Sequence, residues 1–174
     1  MTKTDIKNNL LKNHQHFIAI IQSLPEEEFL LSVNNKWSAG QQLDHVYRSV
    51  KPLTMILALP KFLPALIFGK ANRPSKNYIK LIEKYKTKLA DGYKVSAKFS
   101  PNDVALAQRD SLGQKLLGSI NKMNKLIASF SEKDLDNYIL PHPLLGKLTI
   151  REMLFFTIYH VQHHEVLTLK NLGK

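Results

Sequence analysis

The sequence predicts an all-α protein: a four-helix bundle with a short helical or irregular insertion between the second and third main helices. Three observations lead there. Four long segments repeat their apolar residues every three or four positions, two of them open on a side-chain capping box, and no stretch alternates convincingly as a strand. At 174 residues the chain fits a single domain, 1–174, with enough core to need neither disulfides nor a structural metal.

The first helix is expected from about Thr4 to Leu24, on the spacing of Ile6, Leu10, Phe17, Ile21 and Leu24. Pro25 and three glutamates then begin a short helical turn, because proline suits a first helical position and carboxylates suit the positive N-terminal end. After a linker, "NNK", Ser38 and Gln41 form a capping box. The helix that follows has the seam Leu43, Val46, Val50, Leu53 and Leu57, with Pro52 as a kink and Pro60 as its stop. Between Pro60 and Ser100 an apolar turn leads to a helical segment, "SKNYIKLIEKYKTKLA", and then to a loop, "DGYKVSAKFSP". Ser100 and Pro101 have the form of an N-cap and first helical residue, opening a third main helix to about Phe130 with the stripe Leu112, Leu116, Ile120, Met123 and Ile127. A loop, "PHPLLGK", precedes the capping box Thr149 to Glu152, and the last helix runs to about Leu172.

Composition removes several kinds of chemistry. With no cysteine, disulfides, thiolate metal sites and cysteine nucleophiles are excluded, so a metal must be held by histidine or carboxylate. The N-terminus is broken by Lys3, Asp5, Lys7 and Lys12 and has no signal-peptide core, which makes the cytoplasm the expected location. The longest apolar stretch, Pro52 to Gly69, contains Lys61 and three prolines, unlike an uninterrupted membrane span. The net charge of +11 is concentrated: Lys70 to Lys98 holds nine basic residues against Glu83 and Asp91. Such a block suits an anionic ligand or a solvated helix face, and its aromatics (Tyr78, Tyr85, Tyr93, Phe99) form no nucleic-acid motif.

The chemistry-bearing feature is "FTIYHVQHHEVLTL", which holds three of the seven histidines. His160 and His164, four apart, lie on adjacent turns about 6 Å apart, a spacing that suits joint ligation of one cation. Stepping by three and four from Ile150 gives Met153, Thr157, His160, His164, Leu167 and Asn171, so both imidazoles fall on the core seam. Buried ring nitrogens need partners, and a hydrogen-bonded core pair meets that need as well as a metal does. A third imidazole on another helix would favour the metal. His45 is the candidate, flanked by Gln41, Gln42 and Ser49 on the border of an apolar face. His163 reads as a rim residue, His14 and His16 as ordinary helix residues, and His142 as a loop residue between two prolines.

"WSAGQQLDHVYRS" together with "LTIREMLFFTIYHVQHHE" resembles the DinB-like superfamily of bacterial metal-binding four-helix bundles; "FGKANRP" and "AKFSP" resemble its inter-helix region. The family pattern has one histidine early in the second helix, after a tryptophan and a small capping residue, and a His-x-x-x-His pair on the last. Carried onto this chain, the resemblance implies metal ligands at His45, His160 and His164. It departs where Glu165 and Val166 follow the last ligand in place of a small residue and glutamine, positions that bear on substrate contacts. The resemblance also implies a left-handed bundle, often dimeric, binding zinc, nickel or a similar divalent ion. Characterised relatives add small thiols such as bacillithiol to substrates or use mycothiol or glutathione in isomerisation, and others are described as metal-dependent hydrolases.

The expected function is thus a metal-dependent enzyme of hydrolase or small-thiol S-transferase type, with a three-histidine site that leaves a coordination position open. The expected partners are a small-molecule substrate, a small thiol cosubstrate and a second copy of the chain, with no membrane and no nucleic acid. The alternative is a non-catalytic metal-binding or stress-related interaction module. No general acid or base stands out: Glu165 and Asp44 adjoin ligands in sequence but point elsewhere, Glu152 is occupied by capping, and Tyr47 and Tyr159 either reach the site or pack.

Overall fold

The computed structural model describes residues 1–92 and 96–174. Tyr93, Lys94 and Val95, part of the expected loop and of the basic block, lie outside the described residues. The main helices are α1 (Lys3–Ser23), α3 (Ala39–Leu57), α6 (Arg109–Ala128) and α8 (Ile150–Asn171). Shorter helices connect them: α2 (Glu26–Leu30), α4 (Phe62–Phe68), α5 (Tyr78–Ala90) and α7 (Glu132–Asn137). The fold is all-α, with one small hairpin of β1 (Ile139–His142) and β2 (Gly146–Thr149).

Capping chemistry sets the starts that the sequence predicts. Gln41 N–H donates to Ser38 Oγ (3.2 Å) while Ser38 N–H donates to Gln41 Oε1 (2.9 Å), and Thr149 and Glu152 repeat the exchange at the start of α8. The expected apolar stripes are buried, including Leu43, Val46 and Val50 on α3 and Leu116, Ile120 and Ile127 on α6. α8 contributes Leu154, Phe155, Ile158 and Val161 on several sides, because α1, α3, α5, α7 and the hairpin all pack around it. Pro52 stays inside α3, which runs on to Leu57; the chain turns by 110° into α4, and Gly69, at φ +87°, ends that helix.

Two expectations are corrected. The third main helix begins at Arg109, behind a 3₁₀ turn at Leu106–Gln108, and not at Ser100. Bonds to α3 outweigh the local capping signal. Asn102 N–H donates to Asp44 Oδ2 (2.8 Å) and Gln41 Nε2 to Asp103 Oδ1 (2.9 Å), while Val104 is buried, holding the segment as an extended strap on the helix start. Gly40 permits this approach, since a Cβ there would stand 2.9 Å from Phe29 Cζ and 3.0 Å from Val104 Cβ. The second correction is the hairpin, expected as a loop. Ile139 pairs with Thr149 and His142 with Gly146, whose φ of +77° makes the turn. Four-residue strands, one containing Pro141, give too short a pattern to read.

His142 and His14 change with these corrections. His142 is buried, and its Nδ1 accepts from Leu144 and Leu145 N–H, both at 3.1 Å. His14, read as an ordinary helix residue, is fully buried; Nδ1 donates to the Leu10 carbonyl (2.7 Å) and Nε2 has no partner among the described residues. Burial pushes both rings down to about 4, with Lys84 adding to the effect at His142. Above pH 6.5 both are neutral folded or unfolded. Between 6.5 and 4 only the unfolded chain takes up these protons, so stability falls on acidification, by about 2 kcal/mol per residue at pH 5. Urea unfolding in chelator at pH 7.5 and pH 5 measures this. His14→Leu is expected to remove its share of the slope and, by deleting an unpaired buried nitrogen, to leave stability at pH 7.5 equal or higher. An unchanged slope in His14→Leu would contradict the assignment.

Candidate metal centre

α3 carries His45 two turns into the helix, and α8 carries His160 and His164 one turn apart on the side facing it. The fold brings all three together. His45 Nε2 lies 3.3 Å from His160 Nε2, His164 Nε2 lies 3.0 Å from His160 Nε2, and one ring nitrogen from each residue falls within 4.8 Å of the others. Among the described residues this cluster includes no carboxylate. Each ring is only 4–6% exposed. Trp37 lies against His45 (centroids 4.9 Å apart) and His164 (6.2 Å), and Phe156 against His160 (4.7 Å).

The outer nitrogens settle which way the lone pairs point. His45 Nδ1 donates to the Phe99 carbonyl at 2.7 Å, and His164 Nδ1 to the Gln42 side-chain oxygen at 2.5 Å. A carbonyl only accepts, so each Nδ1 carries the proton and each Nε2 presents a lone pair inward. Burial pushes His160 and His164 well below the ordinary imidazole range, and charge on the neighbouring rings adds to it. Burial also lowers His45, despite its bond to Phe99 and the nearby Asp44. Three neutral rings therefore meet at their Nε2 atoms. With its proton on Nε2, His160 has one N–H facing two lone pairs and can satisfy only one of them well; with its proton on Nδ1, both contacts set lone pair against lone pair. A cation removes that conflict.

The residues fit a divalent ion. Ligands at about 2.0–2.1 Å from tetrahedral zinc stand about 3.3 Å from one another, close to the separations seen here. The Nδ1 bonds to Phe99 and Gln42 are the outer-shell contacts that orient metal-binding imidazoles.

The surrounding groups are otherwise engaged. His163 stands beside the site, its ring 5.3 Å from that of His164 and 5.8 Å from that of Tyr85, and burial lowers its pKa. Asp44 accepts from Arg48 Nε (2.5 Å) as well as Asn102 N–H, Glu165 bonds to His16, and Glu152 is buried against Arg73. Tyr159 packs edge-on to Tyr85, and Tyr47 lies under Lys51. The sequence reading placed Gln42 only as a polar neighbour and did not foresee Phe99 as a partner of His45. Tyr85, taken as a scattered aromatic, is buried on α5 one turn beyond Leu81; the apolar stripe of that helix was the available signal.

A cleft of about 390 Å³ borders Trp37 and Gln42 and includes Lys36 and Lys170; another of about 280 Å³ borders Phe99 and includes Arg48, Lys51 and Lys98. The strap that delivers the Phe99 carbonyl depends on Gly40. Gly40→Ala is expected to cost about 1–3 kcal/mol of stability. Because the strap would shift away from α3, it should also weaken metal binding about 10-fold or more. Thermal melting and zinc titration check both; an alanine variant matching wild type in each would show that the strap does not support the site.

No curated protein and no solved structure gives a significant match to the chain. The family profile described as the DinB superfamily matches residues 9–165, a span that contains the whole histidine cluster and all four main helices in whole or large part. The chain belongs to the DinB superfamily, and its three buried histidines form a group able to hold a metal ion.

Proposed function

We propose that the protein is a divalent-metal-dependent enzyme of hydrolase or small-thiol S-transferase type, with zinc or nickel held by His45, His160 and His164. The observation that carries the reading is the convergence of three Nε2 atoms, two of them with lone pairs turned inward by Nδ1 bonds to Phe99 and Gln42. A divalent ion held by three neutral imidazoles keeps its double charge and supplies Lewis acidity, enough to bring the pKa of water or a small thiol toward about 7. The chain's own contribution is orientation and exclusion of water. Phe99 and Gln42 lock two rings, while Trp37 and Phe156 cover the cluster with apolar surface. Cations at the two adjoining clefts, Arg48, Lys51 and Lys98 at one and Lys36 and Lys170 at the other, suit a small substrate or thiol cosubstrate bearing a carboxylate. A homodimer is part of the proposal, and sedimentation velocity tests it.

The experiment is metal analysis of untagged protein after exposure to zinc or nickel, followed by assays with small thiols plus electrophiles and with ester and amide substrates. The expected result is about one ion per chain and turnover that chelation removes. A ratio near zero would overturn the metal site. The near-complete burial of the ligands favours a second reading, a metal that stiffens a non-catalytic module. Stoichiometric metal, a lower melting temperature on chelation and no turnover in any assay would select it.

A further inference from the structure

The corner between α3 and α4 is unlike the rest of the surface. Phe62 is 65% exposed, Leu66 79% and Ile67 62%, and Met55 at the end of α3 is 59% exposed. Phe62 and Leu66 are one turn apart, so their side chains share the outward face of α4, while Pro64 faces in and the helix packs on β1. Leu59, in the connection, extends the same ridge. From His45 to Ile82 the chain contains no aspartate or glutamate. Over that stretch lie Arg48, Lys51, Lys61, Lys70, Arg73, Lys76 and Lys80. Arg73 and Lys61 are committed to Glu152 and Asp134, but Lys51, one turn before Met55, and Lys70, just after α4, are exposed. Exposed Lys122 adds a cation on α6, one turn from Ser119, whose carbonyl receives the Thr54 hydroxyl.

We propose that the α3–α4 corner is a docking surface for an anionic lipid bilayer, with Phe62, Leu66 and Ile67 inserting at the headgroup boundary and Lys51, Lys70 and Lys122 meeting the lipid phosphates and carboxylates. An apolar face rimmed by basic residues is the chemistry of interfacial anchoring; Asp134, which reaches the start of α4, is paired with Lys61. The ridge stands on a 110° bend between α3 and α4. A second copy of this chain is the poorer occupant, because a two-fold contact would set exposed Lys51, Lys70 and Lys122 against the same cations of the other copy. Among the described residues no single helix is long and apolar enough to cross a membrane, and α4, at seven residues, extends only about 10 Å. Surface insertion needs no span: it departs from the expectation of no membrane partner while leaving the argument against a span intact.

The test is flotation of the full-length protein with vesicles of phosphatidylcholine alone and of phosphatidylcholine with phosphatidylserine at 7:3. Binding to the anionic vesicles is expected, falling at least about 10-fold in the neutral ones and falling with added salt. The double variant Phe62→Asp/Leu66→Asp changes only exposed side chains, so its melting temperature should match wild type while vesicle binding drops at least about 10-fold. In Leu66→Trp, brominated lipid should quench the new indole. Equal binding to neutral vesicles, no binding to either, or full binding by the double aspartate variant would each overturn the proposal. Self-association removed by the aspartates, without vesicle binding, would assign the ridge to a second copy instead and equally overturn it.

Discussion

Replacing His160 with alanine is expected to lower zinc affinity at least about 100-fold, measured by competition with a chromophoric chelator. The ring sits between the other two, 3.3 Å from His45 and 3.0 Å from His164 through its Nε2, so its loss leaves two imidazoles where the proposed site has three. His160→Gln keeps most of the volume and separates loss of ligation from loss of packing. His163→Ala is the sharper control. Although His163 is next in sequence to His164, its ring stands off the cluster beside Tyr85 and Tyr159. That variant should retain one ion per chain within about threefold of wild-type affinity. Equal losses in the His160 and His163 variants would mean that the ion is held by some other arrangement.

The largest stability effect is expected at Glu152, whose carboxylate is fully buried. Arg73 donates to both oxygens, at 2.7 and 2.8 Å, and the N–H groups of Lys76 (2.7 Å) and Thr149 (2.9 Å) complete its shell. Burial alone would raise its pKa, but these bonds outweigh that and hold it below the usual carboxylate range. Glu152→Ala leaves a guanidinium and two backbone donors facing a cavity, and is expected to cost about 3–5 kcal/mol in urea unfolding. Arg73→Met with Glu152→Met removes both charges and should recover a substantial part of the loss. A change under about 1 kcal/mol in Glu152→Ala would contradict this account. The same ion pair fastens the chain before α5 across the start of α8, and through α5 it places Tyr85 over the histidines.

Comparison of particular elements shows where local chemistry sufficed. Ser38 with Gln41 and Thr149 with Glu152 fix the starts of α3 and α8, and those starts set the phase that turns His45, His160 and His164 inward. Both signals are complete within four residues, which is why they can be read in one dimension. Ser100 and Pro101 offered a similar signal and lost to the hydrogen bonds of Asn102 and Asp103 with α3. His14 occupies the vacant step between Leu10 and Phe17, so its burial was available from spacing, although the sequence reading placed it only as an ordinary helix residue.

The sequence by itself determined the bundle, the phase of its main helices, the absence of thiolate chemistry and the identity of the three histidines. Each of these follows from residue type and from repeats no longer than one or two helical turns. Only the tertiary structure decided that the histidines meet, that the Phe99 carbonyl and Gln42 turn their lone pairs inward, and that Glu152 is buried against Arg73. It also decided that α4 leaves Phe62, Leu66 and Ile67 outside. These contacts join residues far apart in the chain, and a backbone carbonyl such as that of Phe99 carries no mark in the sequence. Their geometry depends on how elements pack after each has formed.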